Sequence, residues 1–390
     1  MELPQLTPEE GRLLEAMQTH LREVIRQAGG DLPFDRFMEQ ALYAPGLGYY
    51  VNGRRRFGET GDFVTAPELS PLFGVCLANQ IAQCLAILPG GEILEFGAGS
   101  GKLAADILQR LEHLDRLPGR YLLLELSPDL QQLQRETLSA RVPHLLDRVD
   151  WLQTLPDAGF NGIMIGNELL DAMPVQRLRR SASAAWQELQ VGFDNDGLAD
   201  RWTDLKTPGM TEALTKIWPD PAAVPAGYNS ELNLRLGPWL DAIAYRMAAG
   251  WVFLIDYGYT RREYYHAERA SGTLICHFRH RAYADPYRLP GLQDITANVD
   301  FTALAEAAAD VGFTVAGFTT QAHFLIDSGL EAYMAGSDQG DLAAHLRLAQ
   351  GVKKLTLPSE MGERFKVIAL ARGLDEMLLG FRSRDLRARL

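Results

Sequence analysis

The stretch Ile93-Leu94-Glu95-Phe96-Gly97-Ala98-Gly99-Ser100-Gly101 decides the fold, because an apolar strand runs directly into a loop with glycine at every second position. A helix is predicted to follow over 101–112. Strand, glycine-rich loop and helix in that order mark the place where doubly wound sheets bind ligands, and glycine lets the backbone approach a ligand closely. The same alternation continues outward. Strands are predicted at 92–97, 120–126, 148–152 and 161–166, with a helix over 128–138. After an interruption the rhythm resumes with helix 238–249, strand 251–256, helix 301–311, strand 313–318 and a last strand at 365–371. This order predicts an α/β fold with a mostly parallel, doubly wound sheet covered on both faces and carrying one antiparallel strand.

Flanking segments fill out the organisation. Leu6, Leu13, Leu14, Met17, Leu21, Val24 and Ile25 recur at helical spacing, so residues 5–27 predict an amphipathic helix that Gly29-Gly30 ends. A short helix at 34–43 leads into a glycine-dense loop over 46–67, and a further helix runs from Glu68 to about Leu88. Residues 173–236 interrupt the core with Trp186 to Phe193, the turn Asn195-Asp196-Gly197 and a proline-rich run, which predicts an inserted hairpin and linker. The expected division is an N-terminal helical region at 1–90, a core at 91–172 and 237–375, the insertion at 173–236 and a tail at 376–390.

Composition excludes several classes. A formal net charge of −12 opposes the nonspecific attraction on which nucleic-acid binding depends. The basic clusters at Arg54 to Arg56, Arg177 to Arg180 and Arg279 to Arg281 are too short to track a phosphate backbone. No apolar run approaches the roughly 18 residues of a membrane span. The N-terminal residues show neither a secretory nor an Arg-rich transit pattern, which predicts a cytoplasmic protein. Three cysteines, Cys76, Cys84 and Cys276, are spaced unsuitably for zinc or a disulfide framework, so no metal is expected.

Glycine spacing separates the candidate cofactors. A dinucleotide fingerprint, G-x-G-x-x-G, would place its last glycine at Lys102, whereas the glycines here fall at 97, 99 and 101. That spacing, with Glu95 two residues before the first glycine, resembles motif I of class I methyltransferases, whose Rossmann-like fold binds S-adenosylmethionine. This cofactor carries an ammonium, a sulfonium and two ribose hydroxyls, so its pocket calls for carboxylates. Glu95 is suited to the amino-acid end, Gly97, Ala98, Gly99 and Gly101 to the methionine and ribose portions, and Glu125 to the ribose hydroxyls. Asp150 is a candidate for the adenine amino group and Trp151 for its ring, against the plainer readings of a helix cap and a core residue.

A second constellation, Gly166-Asn167-Glu168-Leu169-Leu170-Asp171-Ala172-Met173-Pro174, follows the fourth strand to the same sheet edge. If 168–172 form a helical turn, Glu168 and Asp171 share one face and converge beside the sulfonium. Asn167, Glu168 and Asp171 are therefore the catalytic candidates, with helix capping the alternative reading for the first two. Asp62, Phe63, Thr65, Pro67 and Glu68 are placed to form a lid over the cofactor that excludes water. Tyr257 is a candidate for the substrate channel and His280 for a base, each set against an ordinary structural role.

The segments GDFVTAPELSPLFG (61–74), GNELLDAMPV (166–175), DYGY (256–259), GTLICHFRH (272–280), DITANVDF (294–301) and MGERFKVIALARG (361–373) together resemble the MidA family. That family includes bacterial proteins and a mitochondrial complex I assembly factor. The resemblance implies a protein arginine methyltransferase whose partner is a subunit of the respiratory NADH dehydrogenase. The chain lacks the NPPY tetrapeptide of adenine and glutamine-amide methyltransferases, and the double-glutamate loop of mainstream arginine enzymes. Arginine specificity thus follows from the resemblance alone. Two other readings stay open: a noncatalytic assembly factor that retains the cofactor fold, and a methyltransferase acting on a different side chain or small molecule. The glycine spacing counts against a nicotinamide-dependent oxidoreductase.

Overall fold

The computed structural model describes residues 3–54, 65–195, 197–336 and 342–390, with backbone alone at 342–345. Among the described residues the central sheet has eight strands, seven of them in one series, β1 Glu92–Phe96, β2 Tyr121–Leu124, β3 Val149–Leu152, β4 Phe160–Asn167, β5 Met247–Tyr259, β6 Thr314–Thr320 and β7 Phe365–Arg372, with the short strand Val299–Asp300 paired to the end of β5. The order of the series across the sheet is β6-β7-β5-β4-β1-β2-β3. β7 runs antiparallel to both β5 and β6, and the other core pairings are parallel. This is the class I methyltransferase arrangement, mostly parallel with one reversed strand.

Alternation along each strand feeds two cores. Ile93, Ile163, Ile165, Trp251, Phe253 and Val367 face one layer with helices Pro71–Ile87 and Lys102–His113. Leu94, Met164, Val252, Leu254 and Ile368 face the other, with helices Leu236–Arg246 and Phe301–Asp310. A strand covered on both faces has to be apolar throughout, which explains the uninterrupted run Trp251 to Ile255. The chain leaves β1 toward β2 and β3 and then returns to β4, so the direction of winding reverses at β1 and β4. A crevice opens at the carboxyl ends of these two strands.

Local signals set the outer elements. Helix Pro8–Gln27 begins at a capping box: Thr7 Oγ1 accepts from the Glu10 amide at 3.2 Å, and the Glu10 carboxylate accepts from the Thr7 amide at 2.7 Å. The segment read as hairpin and linker holds more than that. It contains strands Gln176–Arg180, Trp186–Asp194, Gly197–Asp204 and Asn229–Leu232 and helix Met210–Ile217. Asp31–Pro33 pairs with Trp186–Asp194, so the N-terminal region and the insertion share one sheet. A further three-stranded sheet, Ile275–Phe278, Arg281–Tyr283 and Asp294–Thr296, follows β5 and was not foreseen. The N-terminal region and the three-stranded sheet contribute Tyr43, Tyr50, Ile275, His277, Asp294 and Thr296 to the wall of this crevice. No described helix is long and apolar enough to cross a membrane.

Candidate active site

The carboxyl ends of β1 to β5 surround one cavity of about 840 Å³, large enough for a cofactor together with an acceptor side chain. Gly97 and Gly99 adopt φ of 59° and 53°, which turns the loop along the cavity wall. Ala98 and Ser100 line the same wall. Gly101, at φ 80°, caps helix Lys102–His113 and does not reach the cavity. Its role is packing, since a Cβ there would lie 3.1 Å from Gln134 Cα.

Gln134 organises this end of the site from full burial. Its amide nitrogen donates to the Gly99 carbonyl and to Glu125 Oε2, both at 3.1 Å, and its oxygen accepts from Trp151 Nε1 at 3.0 Å. One side chain therefore fixes the glycine loop against the Glu125 carboxylate. Glu125 follows β2, accepts from the Ser127 amide at 2.9 Å and lines the cavity, as a ribose ligand must. Substituting Gln134→Leu removes these bonds at nearly constant volume. Affinity for S-adenosylmethionine is expected to fall on the order of tenfold by calorimetry, and an unchanged affinity would refute the role.

The adenine end departs from expectation. Asp150 lies two residues before the end of β3, away from the cavity, and pairs with Arg120. Trp151 also stays outside, covered by the Arg135 guanidinium 3.7 Å from its ring centre. β3 continues to Leu152, so the cavity is met instead by Gln153, Thr154 and Leu155. Leu126, 61% exposed at the mouth, adds an apolar surface.

Glu95 is buried at the end of β1, where the Tyr121 hydroxyl donates to its Oε2 at 2.6 Å. Burial pushes its carboxyl up to about 7, and the nearby Glu125 charge adds to this. Thr65, Pro67 and Glu68 line the cavity from the start of the short helix Ala66–Leu69. Glu68 accepts from Ser100 Oγ and from Lys102 Nζ, the latter at 3.1 Å, which ties this segment to the glycine loop. Asp62 and Phe63 lie outside the described residues.

The turn after β4 is not helical. Glu168 instead takes φ 50°, a conformation uncommon for a residue with a Cβ, and its amide donates to the Ile255 carbonyl at 2.9 Å. Asn167, Glu168 and Asp171 nevertheless all line the cavity. Buried Asp256 holds the turn, its Oδ2 accepting from the Leu170 amide at 2.9 Å and the Asp171 amide at 3.2 Å. Glu168 accepts from the Ala66 amide and from Asn167 Nδ2. Tyr257 lines the cavity and bonds Asp171 through its hydroxyl. His280 is exposed and lies off the cavity, whereas His277, within the strand Ile275–Phe278, lines it.

Burial, followed by the charge of Asp171, raises Glu168 to about 8. Burial likewise raises Asp171 and Asp256. Carboxyls raised in the folded state stabilise it below their ordinary range, and that contribution is lost as pH climbs through 7 to 8. Thermal midpoints of the empty protein are therefore expected to fall between about pH 6 and about pH 9. A bound cation favours the ionised carboxylates, so stabilisation by S-adenosylmethionine should grow over the same interval in thermal-shift measurements. A cofactor-induced shift independent of pH would contradict this electrostatic picture.

Two buried acceptors on residues that line this space, Asn167 Oδ1 and Asp171 Oδ1, have no hydrogen-bond partner among the described residues. Orphaned acceptors, left-handed glycines and Glu95 and Glu125 at the two required strand ends fit a cationic nucleoside cofactor. The family model described as "Putative S-adenosyl-L-methionine-dependent methyltransferase" matches residues 76–319, and the chain belongs to this family. Its likeness to the MidA group, legible in the motifs, is thereby supported.

Relatives agree. The zebrafish protein named "Protein arginine methyltransferase NDUFAF7, mitochondrial" is 28% identical over 88% of this chain and 84% of its own length. The mouse protein of the same name is 28% identical over 93% and 86%. A crystal structure from Burkholderia thailandensis, solved with S-adenosyl-homocysteine bound, is 42% identical over the full length of both chains with a TM-score of 0.95. S-Adenosylmethionine is the cofactor of this methyltransferase, and Glu95, Gly97 to Ser100 and Glu125 are the residues suited to hold it.

Proposed function

We propose that this chain methylates an arginine side chain of a protein. The observation that carries the reading is a surplus of carboxyls. Among the described residues, six carboxyl side chains line the cavity, Glu68, Glu95, Glu125, Glu168, Asp171 and Asp294, against Arg364 and His277. Glu95 and Glu125 suit the cofactor, and Glu68 is engaged by Ser100 and Lys102. Glu168, Asp171 and Asp294 are left for the acceptor. A neutral acceptor has no use for three carboxyls, whereas a guanidinium, charged throughout the neutral range and rich in donors, does. The names of the vertebrate relatives support the same choice.

S-Adenosylmethionine supplies a methyl group on a sulfonium, which leaves as a neutral thioether. The protein's task is to direct a guanidinium nitrogen at that methyl and to remove one proton from the nitrogen. In this reading Asp171 orients the guanidinium and concentrates electron density on the attacking nitrogen. Glu168 takes the released proton, a task for which a carboxyl elevated by burial is suited. Asn167 steadies Glu168 through its 3.2 Å bond. Mass spectrometry of proteins incubated with enzyme and S-adenosylmethionine should find the added methyl on arginine. Methyl found only on other side chains would refute the assignment.

Two finer readings accompany it. The family resemblance supports a respiratory NADH dehydrogenase subunit as the acceptor protein, which mass spectrometry of that complex from cells with and without this gene tests. A cytoplasmic location is supported by the buried, unpaired Cys76, Cys84 and Cys276, as expected in a reducing compartment. The vertebrate relatives are named mitochondrial, and cell fractionation decides the point here.

A further inference from the structure

The acceptor end of the cavity is built by elements outside the central sheet. Tyr43 closes helix Phe34–Tyr43, Tyr50 follows in the next loop, and Asp294 opens the strand Asp294–Thr296. All three line the cavity. The two tyrosine rings stack, with centroids 5.5 Å apart and planes 20° from parallel, and Tyr49 braces Tyr50 edge-on at 5.0 Å. The Tyr50 hydroxyl donates to Asp294 Oδ1 at 2.9 Å, and the Ile295 amide donates to the same oxygen at 2.9 Å.

Hydrogen bonds fasten this wall to the catalytic turn. The Tyr43 hydroxyl donates to the Ala172 carbonyl at 3.0 Å, and the Ala297 amide donates to the Asp171 carbonyl at 3.0 Å. Aromatic wall, Asp294 and the turn bearing Asp171 thus form one braced unit. Asp171 is 5% exposed, and its Oδ1 lacks a partner among the described residues. The unit offers aromatic carbon and carboxylate acceptors to the same volume.

That combination discriminates between cations. A guanidinium is flat, delocalised and weakly hydrated, stacks on aromatic rings, and presents a fork of N–H groups that meets carboxylates in its plane. An ammonium is a compact, strongly hydrated point charge that loses more hydration on entering such a wall. We propose that Tyr43, Tyr50 and Asp294 form a selectivity clamp that admits a guanidinium and discriminates against an ammonium. This rests on the arginine reading above and assigns that specificity to the N-terminal helix region and the three-stranded sheet.

Binding of two peptides, Gly-Gly-Arg-Gly-Gly and its Lys counterpart, to protein saturated with S-adenosyl-homocysteine tests the clamp without turnover. Wild-type protein is expected to favour the arginine peptide at least about tenfold, and Asp294→Asn to reduce the ratio below about threefold. Tyr50→Phe, which removes only the hydroxyl aimed at Asp294, is expected to give an intermediate ratio and remains decisive should Asp294→Asn fail to fold. Retained S-adenosyl-homocysteine affinity certifies each variant. An arginine preference that survives in the folded variants would overturn the clamp and leave the arginine reading standing. A wild-type protein that does not favour the arginine peptide would overturn both.

Discussion

Asp171→Asn is expected to lower kcat by about 10² to 10³, with the dissociation constant for S-adenosylmethionine changed only a few-fold. The side chain is nearly isosteric, so the turn held by Asp256 through the Leu170 and Asp171 amides is retained. What disappears is a negative charge in a cavity largely screened from water, where charge acts more strongly than at the surface. In the proposed reaction two positive centres approach each other, and the Asp171 carboxylate would offset their repulsion while orienting the nucleophile. The residues proposed to hold the cofactor, Glu95, Gly97 to Ser100 and Glu125, line the same cavity from other strand ends, so binding and turnover are expected to separate. Single-turnover kinetics together with calorimetry read the two effects. Unchanged kcat, or a loss of cofactor binding as large as the loss of rate, would remove Asp171 from the chemistry.

Gly97→Leu is expected to weaken S-adenosylmethionine binding by about 10²-fold or more. At φ 59° a residue with a Cβ carries a penalty of roughly 1–2 kcal/mol, a modest burden on folding. Among the described residues, no atom beyond the two chain neighbours lies within 4 Å of the position a Cβ would take, so the new side chain has room there. Because this loop lines the cavity, that room belongs to the ligand. A folded protein with little cofactor affinity is the expected combination, measured by circular dichroism and calorimetry. Near-normal affinity would show that the cofactor lies elsewhere.

Much of this architecture was legible because it repeats local patterns. The apolar runs at Ile93 to Phe96 and Trp251 to Ile255 have only one stable setting, the middle of a covered sheet, and the glycines at 97 and 99 mark the loop that leaves it. The Glu168 and Asp171 pair was also legible, since both residues follow a strand whose end is the binding edge. Their backbone was not. A helical turn fits the spacing, but the turn is held by bonds to Asp256 and Ile255 from another strand, and Glu168 is left-handed as a result. Asp150 and Trp151 fall short of the cavity although β3 ends at Leu152 as predicted, because both sit inside the strand and only the residues after it, Gln153 to Leu155, reach the pocket. Tyr43, Tyr50 and Asp294 carry no shared local signal. The two tyrosines lie about 250 residues from Asp294 along the chain and meet it only through tertiary folding, although DITANVDF already stood out as a family segment.

The most direct measurement is residue-resolved mass spectrometry of candidate acceptor proteins incubated with wild-type enzyme and isotopically labelled S-adenosylmethionine, with Asp171→Asn run in parallel. Labelled methyl on arginine, strongly reduced by Asp171→Asn while cofactor binding persists, is the expected result. Tight cofactor binding with no labelled methyl on any arginine, in proteins this chain demonstrably binds, would contradict the account and favour a factor that grips a partner without modifying it.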